Sequence, residues 1–419
     1  MRAATEWDWS PGTKEIWDLA DHSRDSKWIE ESYASPDGET IASIASYGAD
    51  EGFGYCVNGK HQESIFEKMW NLRFAPDGRL AAIVQNEMEW TVMVDGEVWD
   101  DTYDFIWGLK FANGTISANV QSGGEYGMAC DGSAWETMFE FATDFVLSSD
   151  GQKTAAVVQT RSVPQADIDT FQQGCYTVAV EGNAWDTNYV NAWSPVFNKD
   201  ASKVACQMRV NLYDYDIAVD GKAWGKKFQS VWDPAFSPVD NAVYAPARMK
   251  GKWGMARDGE FVWAPKFVQL WHQQFSADGK NLWAIVAPKF GRWTVALNGT
   301  PWHKTLGQFV TDLTVSPNGK RAAVIGKQDE KWAVMADDTI WVGWYDMAFT
   351  PVFCPNSKHV AVRVRRANGK YTVVLDGHPY HHDYDQLWDP VFSPEGTKVM
   401  LRAVKDNKYQ RIIVPVSDF

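Results

Sequence analysis

Five carboxylates recur at one position of a repeated phrase: Glu31, Asp144, Asp233, Asp312 and Asp389 each stand four residues ahead of a Ser-Pro-Asp-Gly turn or a relative of it. The full series at that position is Glu31, Asn71, Gly108, Asp144, Ser194, Asp233, His272, Asp312, Thr350 and Asp389. Arranged around a channel mouth, such a ring could hold a cation, a polyol or an arginine from a partner, and paired carboxylates could serve glycoside hydrolysis. A symmetric ring does not single out an acid and a nucleophile, however. The preferred reading is structural: each carboxylate accepts backbone N–H bonds and fixes the start of its strand. His378-Pro379-Tyr380-His381-His382-Asp383, with Asp385 nearby, offers metal-ligand chemistry; a polar outer hairpin is the simpler account of it. No G-x-S-x-G, G-K-[ST], G-x-G-x-x-G or H-E-x-x-H motif is present. Cys56, Cys130, Cys175, Cys206 and Cys354 form no C-x-x-C pair and read as small buried hydrophobes. No catalytic, cofactor-binding or metal-ligating residue is assigned.

The elements that must position these residues are repeats. The turn phrase occurs ten times, from Ser35-Pro36-Asp37-Gly38 to Ser393-Pro394-Glu395-Gly396, with successive spacings of 40, 36, 37, 50, 39, 39, 40, 38 and 39 residues. Between these turns sit Asn-Gly or Asp-Gly pairs such as Asn58-Gly59, Asp95-Gly96 and Asp376-Gly377, the strongest short hairpin signal. Each unit therefore reads strand, S-P-D-G turn, strand, loop, strand, D-G turn, strand. That is the size and pattern of one propeller blade. The expected fold is all-β: a β-propeller of about ten four-stranded blades.

Aromatic residues keep the same register. Six residues before the D-G glycine lie Phe53, Trp90, Tyr126, Tyr176, Tyr215, Trp253, Trp293, Trp332 and Tyr371, and three after it lie Trp99, Trp135, Trp185, Trp224, Trp302, Trp341 and Tyr380. Packing between twisted sheets demands such recurrence, so the 23 tryptophans read mainly as interblade filling. Trp7, Trp9 and Trp344 lack the register and are candidates for partner contact. The tenth unit lacks its fourth strand, while residues 13–19 have no blade of their own. Residues 1–27 are thus expected to supply the closing outer strand of one ring, and residues 28–419 the ten repeats.

The net charge of −14 argues against a nucleic-acid-binding surface spread over the molecule. Residues 1–210 carry 14 Lys/Arg against 33 Asp/Glu, whereas residues 211–419 carry 26 against 21. Loops between second and third strands follow this split. Early ones contain Glu51, Glu87, Glu89 and Glu125. Late ones contain Arg248, Lys250 and Lys252; Lys289 and Arg292; Arg363, Arg365 and Arg366; and Lys405 and Lys408. The long interval belongs to the fourth unit, whose extra residues include Ile168 and Phe171. One face with acidic and basic arcs and a protruding loop suits a partner docked in a fixed orientation. The apolar runs are too short for a membrane helix and residues 1–27 do not resemble a signal peptide, which points to the cytoplasm.

The S-P-D-G phrase followed by a hydrophobic run resembles the TolB-type and tryptophan–aspartate-type propeller repeats across residues 28–419. More narrowly, Trp-x-Asp/Ser-Pro-x-Phe-Ser with D-G-x-x-Trp repeats is similar to the TmcD family, the tryptophan-rich subunits of the Tmc transmembrane electron-transfer complex of sulfate-reducing bacteria. That resemblance implies a cofactor-free scaffold on the inner face of the cytoplasmic membrane, attached only through partners. Those partners would be an iron–sulfur subunit similar to a heterodisulfide reductase subunit, a membrane cytochrome b and, through the complex, a periplasmic multihaem cytochrome c. The alternative is a small-ligand or glycan-acting propeller, hydrolytic or purely binding, that uses the acidic channel mouth.

Overall fold

The computed structural model describes residues 4–20, 26–30, 32–48, 51–163 and 167–419. Ten antiparallel sheets follow one another along the chain as the blades of a β-propeller. Blade two shows the plan: Lys68–Phe74, Leu80–Asn86, Glu89–Val94 and Glu97–Val98 pair in chain order. The short outer strand resumes at a bridge between Trp90 and Tyr103. The same bridge joins Tyr126 to Phe139, Tyr215 to Phe228 and Tyr371 to Tyr384, so the aromatic six residues before the D-G glycine marks where the outer strand is regained.

Local chemistry explains why each hairpin forms. In the D-G turns both central residues lie at positive φ, for instance Asp95 at 50° and Gly96 at 96°, the backbone of a two-residue type I′ turn. The aspartate has a second task. Its Oδ1 accepts the N–H that opens the second strand: Asp95 from Leu80 at 2.8 Å, Asp220 from Val204 at 2.9 Å and Asp258 from Val243 at 2.9 Å. In the S-P-D-G turns the serine hydroxyl donates to the aspartate (Ser276 to Asp278, 2.6 Å) and accepts the N–H five residues on (Asn281, 2.9 Å). The Gly279 N–H closes the turn onto the Ser276 carbonyl at 2.8 Å. Where Cys354 replaces serine, its Sγ takes the same two partners, Asn356 and the His359 N–H.

Ten apolar clusters lie between the blades, one at each interface from blade one against blade two to blade ten against blade one. Ten sheets with ten such interfaces form a single ring. Two rings of five would instead require contacts of blade five with one and ten with six. Most D-G glycines receive a tryptophan from the blade before them: Trp99 lies over Gly132, Trp185 over Gly221 and Trp341 over Gly377, whereas Gly96 receives Tyr55. Glycine suits both the positive φ and the close indole there, while blade eight places Asp338 at the same turn position with φ 60°.

The ring closes as the repeat arithmetic requires. The strand Gly12–Asp18 pairs antiparallel with Lys408–Pro415 and completes blade ten. Its Trp17 is buried and lies against Gly59 of blade one, so it plays the part that Trp99 plays elsewhere. Burying a large side chain of this kind contributes about 1.5–3 kcal/mol. Polar bonds reinforce the seam. Tyr409 donates to the backbone carbonyl of Gly38 at 3.0 Å, Arg411 to those of Asp37 at 2.8 Å and Asp8 at 2.6 Å, and Arg402 to that of Ser35 at 3.0 Å. Burial pulls the Arg402 guanidinium below its ordinary pKa.

Candidate functional site

Sheet order puts the strand leading into S-P-D-G at one edge of every blade, beside its counterparts in neighbouring blades, where it lines the axis. Alternation of strand direction then sorts the connections. The S-P-D-G and D-G turns share one face, here the turn face. The hairpin tips between second and third strands share the other with the crossovers to the next blade, here the tip face.

The carboxylate-bearing position is a β-bulge. Asn71 (φ 56°), Gly108 (67°), Asp144 (50°), Ser194 (48°), His272 (52°) and Asp312 (54°) are all left-handed, and the pairing register slips at each. The position thus carries a backbone demand beside the expected hydrogen-bonding role. Asn, Asp, Gly, Ser and His share this position because they tolerate that backbone. In blades six, nine and ten the inner strand breaks here instead, ahead of Pro234, Pro351 and Pro390, which have no N–H to give the ladder. Glu31 lies outside the described residues.

The side chains at these positions tie neighbouring blades together. Asp144 accepts the Ser194 N–H at 3.0 Å. Gln207 donates to both Ser194 Oγ (3.0 Å) and Asp233 (2.9 Å). Thr350 donates to Asp312 at 2.6 Å. Arg363 binds Asp389 at 2.9 Å, with its guanidinium 3.6 Å from the Phe349 ring centroid. No two of the described ring acids occupy adjacent blades, so they do not present a paired acid and base.

Two neighbouring stretches of this belt line a cavity of about 490 Å³: Trp232, Asp233, Pro234 and Ala235 of blade six and Trp271, His272 and Gln273 of blade seven. Trp232 is 41% exposed although its ring stacks on Trp253 at 5.5 Å and 9°. Trp271 leans on Trp293 at 4.8 Å. The interblade-packing reading accounts for one face of these indoles and leaves the other facing the channel. The register alone did not separate these two cases.

The basic residues of the tip face occupy tighter structure than the expected loops. The tips are two-residue turns: Lys250-Gly251 between Met249 and Lys252, Phe290-Gly291 between Lys289 and Arg292, and Asp406-Asn407 between Lys405 and Lys408. Arg248 therefore lies in the strand Val243–Met249, and Arg363 and Arg365 in Val360–Arg365. Three of the expected docking residues hold partners within the chain. Arg363 is half-buried on Asp389, Arg366 pairs with Asp383 at 3.2 Å, and Lys408 pairs with Glu15 of the closing strand at 2.9 Å. Arg365 is exposed beside Tyr371. Arg248, Lys250, Lys252, Lys289 and Lys405 are exposed and have no ion-pair partner among the described residues. Among the described residues Arg292 reaches only Thr305, at 3.5 Å. Between Lys289 and Arg292, Phe290 is 93% exposed.

In blade four the expected loop contains a six-residue helix, Ile168–Gln173, started by Asp167, which accepts the Thr170 N–H at 2.9 Å. Ile168 is exposed and Phe171 half-buried; residues 164–166 of the insertion lie outside the described residues. The histidine cluster forms the outer hairpin of blade nine. Its Asp383 is held by Arg366 and Asn368, and its neighbour Asp385 by Lys370. Among the described residues no three His, Cys, Asp or Glu side chains converge as a metal site. All five cysteines are free, and burial pushes the Cys130 thiol up to about 12. Among the described residues no helix is long and apolar enough to cross a membrane.

No family model matches the chain, and no curated protein matches it. Solved structures similar to it include a eukaryotic initiation factor, at TM-score 0.48 and 12% identity over 78% of this chain and 90% of that one. TolB from Acinetobacter baumannii matches at TM-score 0.31 and 16% identity over 58% and 61%. The β-propeller domain of Cps50 (Swd1) from Myceliophteria thermophila matches at TM-score 0.33 and 12% identity over 64% and 95%. These likenesses go no further than the propeller architecture. The ten-bladed closure is read from this chain's own pairing.

Proposed function

We propose that the chain is a docking propeller that carries no redox centre of its own and holds an acidic protein surface against its tip face. The observation that carries this reading is the patch on adjacent blades six and seven. There Arg248, Lys250, Lys252, Lys289 and Arg292 share the tip face with the exposed Phe290 and have no ion-pair partner among the described residues. Neighbouring tips neutralise their own charges, as with Lys327 on Glu330 and Lys331 on Asp346 in blade eight. Unsatisfied cations on the same face as an exposed ring are what an interface anchor with electrostatic neighbours looks like before its partner arrives.

The repeat phrase suggests which partner. By its resemblance to the tryptophan-rich subunits of the Tmc complex, the docked protein is the iron–sulfur, heterodisulfide-reductase-like subunit. Membrane cytochrome b and the periplasmic multihaem cytochrome c then join through the complex, and the propeller sits peripherally at the inner face of the cytoplasmic membrane. Its tryptophans already have packing roles, so the reading assigns them no electron transfer. Purification from native membranes in mild detergent tests it: the chain should return with haem and iron–sulfur absorbance in constant ratio. Recovery of the chain alone, with neither absorbance, would refute the assignment.

A further inference from the structure

The cavity between blades six and seven is lined only by innermost strands, so it opens on the wall of the channel rather than on the docking face. Its volume of about 490 Å³ falls within the range of small-molecule sites. Two indoles form its apolar walls. Trp232 is fixed from behind by Trp253 and Trp271 by Trp293, so their free faces are set before any ligand binds. The polar lining consists of one carboxyl group (Asp233), one imidazole (His272) and one amide (Gln273), with no lysine or arginine. Gln207 donates to Asp233 Oδ1 at 2.9 Å, which orients the carboxylate without neutralising it, and Gln273 donates to the Asp233 backbone carbonyl.

This chemistry selects among ligands. An anion would meet the Asp233 carboxylate with no cation to offset it. A sugar would bring several hydroxyls to a lining with few side chains to satisfy them, and each unsatisfied group counts against binding. An organic cation satisfies both halves of the site, since an indole face attracts positive charge and a carboxylate completes the cage. We infer that this cleft binds a small alkylated ammonium group, with Trp232 and Trp271 as the walls and Asp233 as the counter-charge. The site is independent of the docking reading and stands or falls without it.

The test is calorimetric titration of the purified full chain at pH 8 with choline, with choline's neutral isostere in which carbon replaces the ammonium nitrogen, and with glucose. Choline should bind saturably, and the isostere about two- to five-fold more weakly or worse. Asp233→Asn and Trp232→Ala should each weaken choline about five-fold. Trp70→Ala, at the same register in blade two, should leave it unchanged. Circular dichroism melts establish that each variant is folded, and any that is not is replaced by Trp232→Phe or Trp271→Phe. Equal binding of the isostere, preference for glucose, or absence of saturable choline binding to the unmodified chain would each overturn the assignment.

Discussion

The turn face and the tip face are made from the same antiparallel hairpins, yet their side chains do opposite things. On the turn face Ser, Asp and Asn bond back to their own turn, as Ser276 does with the Asp278 carboxylate and the Asn281 N–H, and most D-G glycines make room for the tryptophan of the preceding blade. On the tip face the two turn residues are held from outside. Gln229 accepts the Gly251 N–H at 2.8 Å, and Asp385 accepts the Asp406 N–H at 2.9 Å. Tip side chains are thereby released from structural duty and can vary in charge from blade to blade. The repeat is conspicuous on the face that folds the protein and fades on the face that meets partners.

The largest effect should come from the turn face at the seam. Trp17→Ala removes the indole over Gly59 and should cost about 3–5 kcal/mol, the usual range for a buried tryptophan. Denaturant unfolding would show it, and a loss under about 1 kcal/mol would mean that the seam does not depend on this indole. The tip face should behave in the reverse way. Reversing Lys250, Lys289 and Arg292 to glutamate should leave the melting temperature within a degree or two while weakening partner capture about ten-fold, with a flatter salt dependence. Equal loss of stability would erase the distinction between the faces.

The smallest effect is expected with pH. Serine hydroxyls hold the turn-face carboxyls Asp150, Asp200 and Asp278 below their ordinary pKa of 3.8. A folded pKa below the unfolded one means that these bonds stabilise fully above pH 3.8 and are lost as pH falls through the depressed values. Melting curves from pH 6 to 3 should therefore bend downward only below about pH 4. Ser276→Ala should blunt that bend slightly, and a tip-face substitution such as Lys250→Ala should not.

The propeller was legible because its signals are local and repeated. Asp-Gly fixes a turn, Ser-Pro-Asp-Gly fixes another, and a missing fourth strand in blade ten called for Gly12–Asp18. The channel position was harder to read. One sequence column mixes Asp144, Gly108 and His272, and only the left-handed backbone shows that they answer a conformational demand. Which docking candidates pair within the chain was not legible, because the partners lie far away in sequence: Arg363 finds Asp389 in the next blade, and Lys408 finds Glu15 across 393 residues. The aromatic cleft was hidden for a related reason. Trp232 and Trp271 share their register with tryptophans of other blades, and which indole keeps an open face is decided by neighbours rather than by spacing.

The pairing of Gly12–Asp18 with Lys408–Pro415 also sets an order of events. A ribosome releases the closing strand among the first residues of this sequence, but its hydrogen-bonding partner emerges hundreds of residues later. Throughout synthesis the arc of finished blades grows with both ends unsealed, and each end offers bare backbone to any passing strand. A version of the gene that moved residues 4–20 behind residue 419 would have the latch translated directly after its partner strand, and should shorten the interval during which nascent chains can associate with one another.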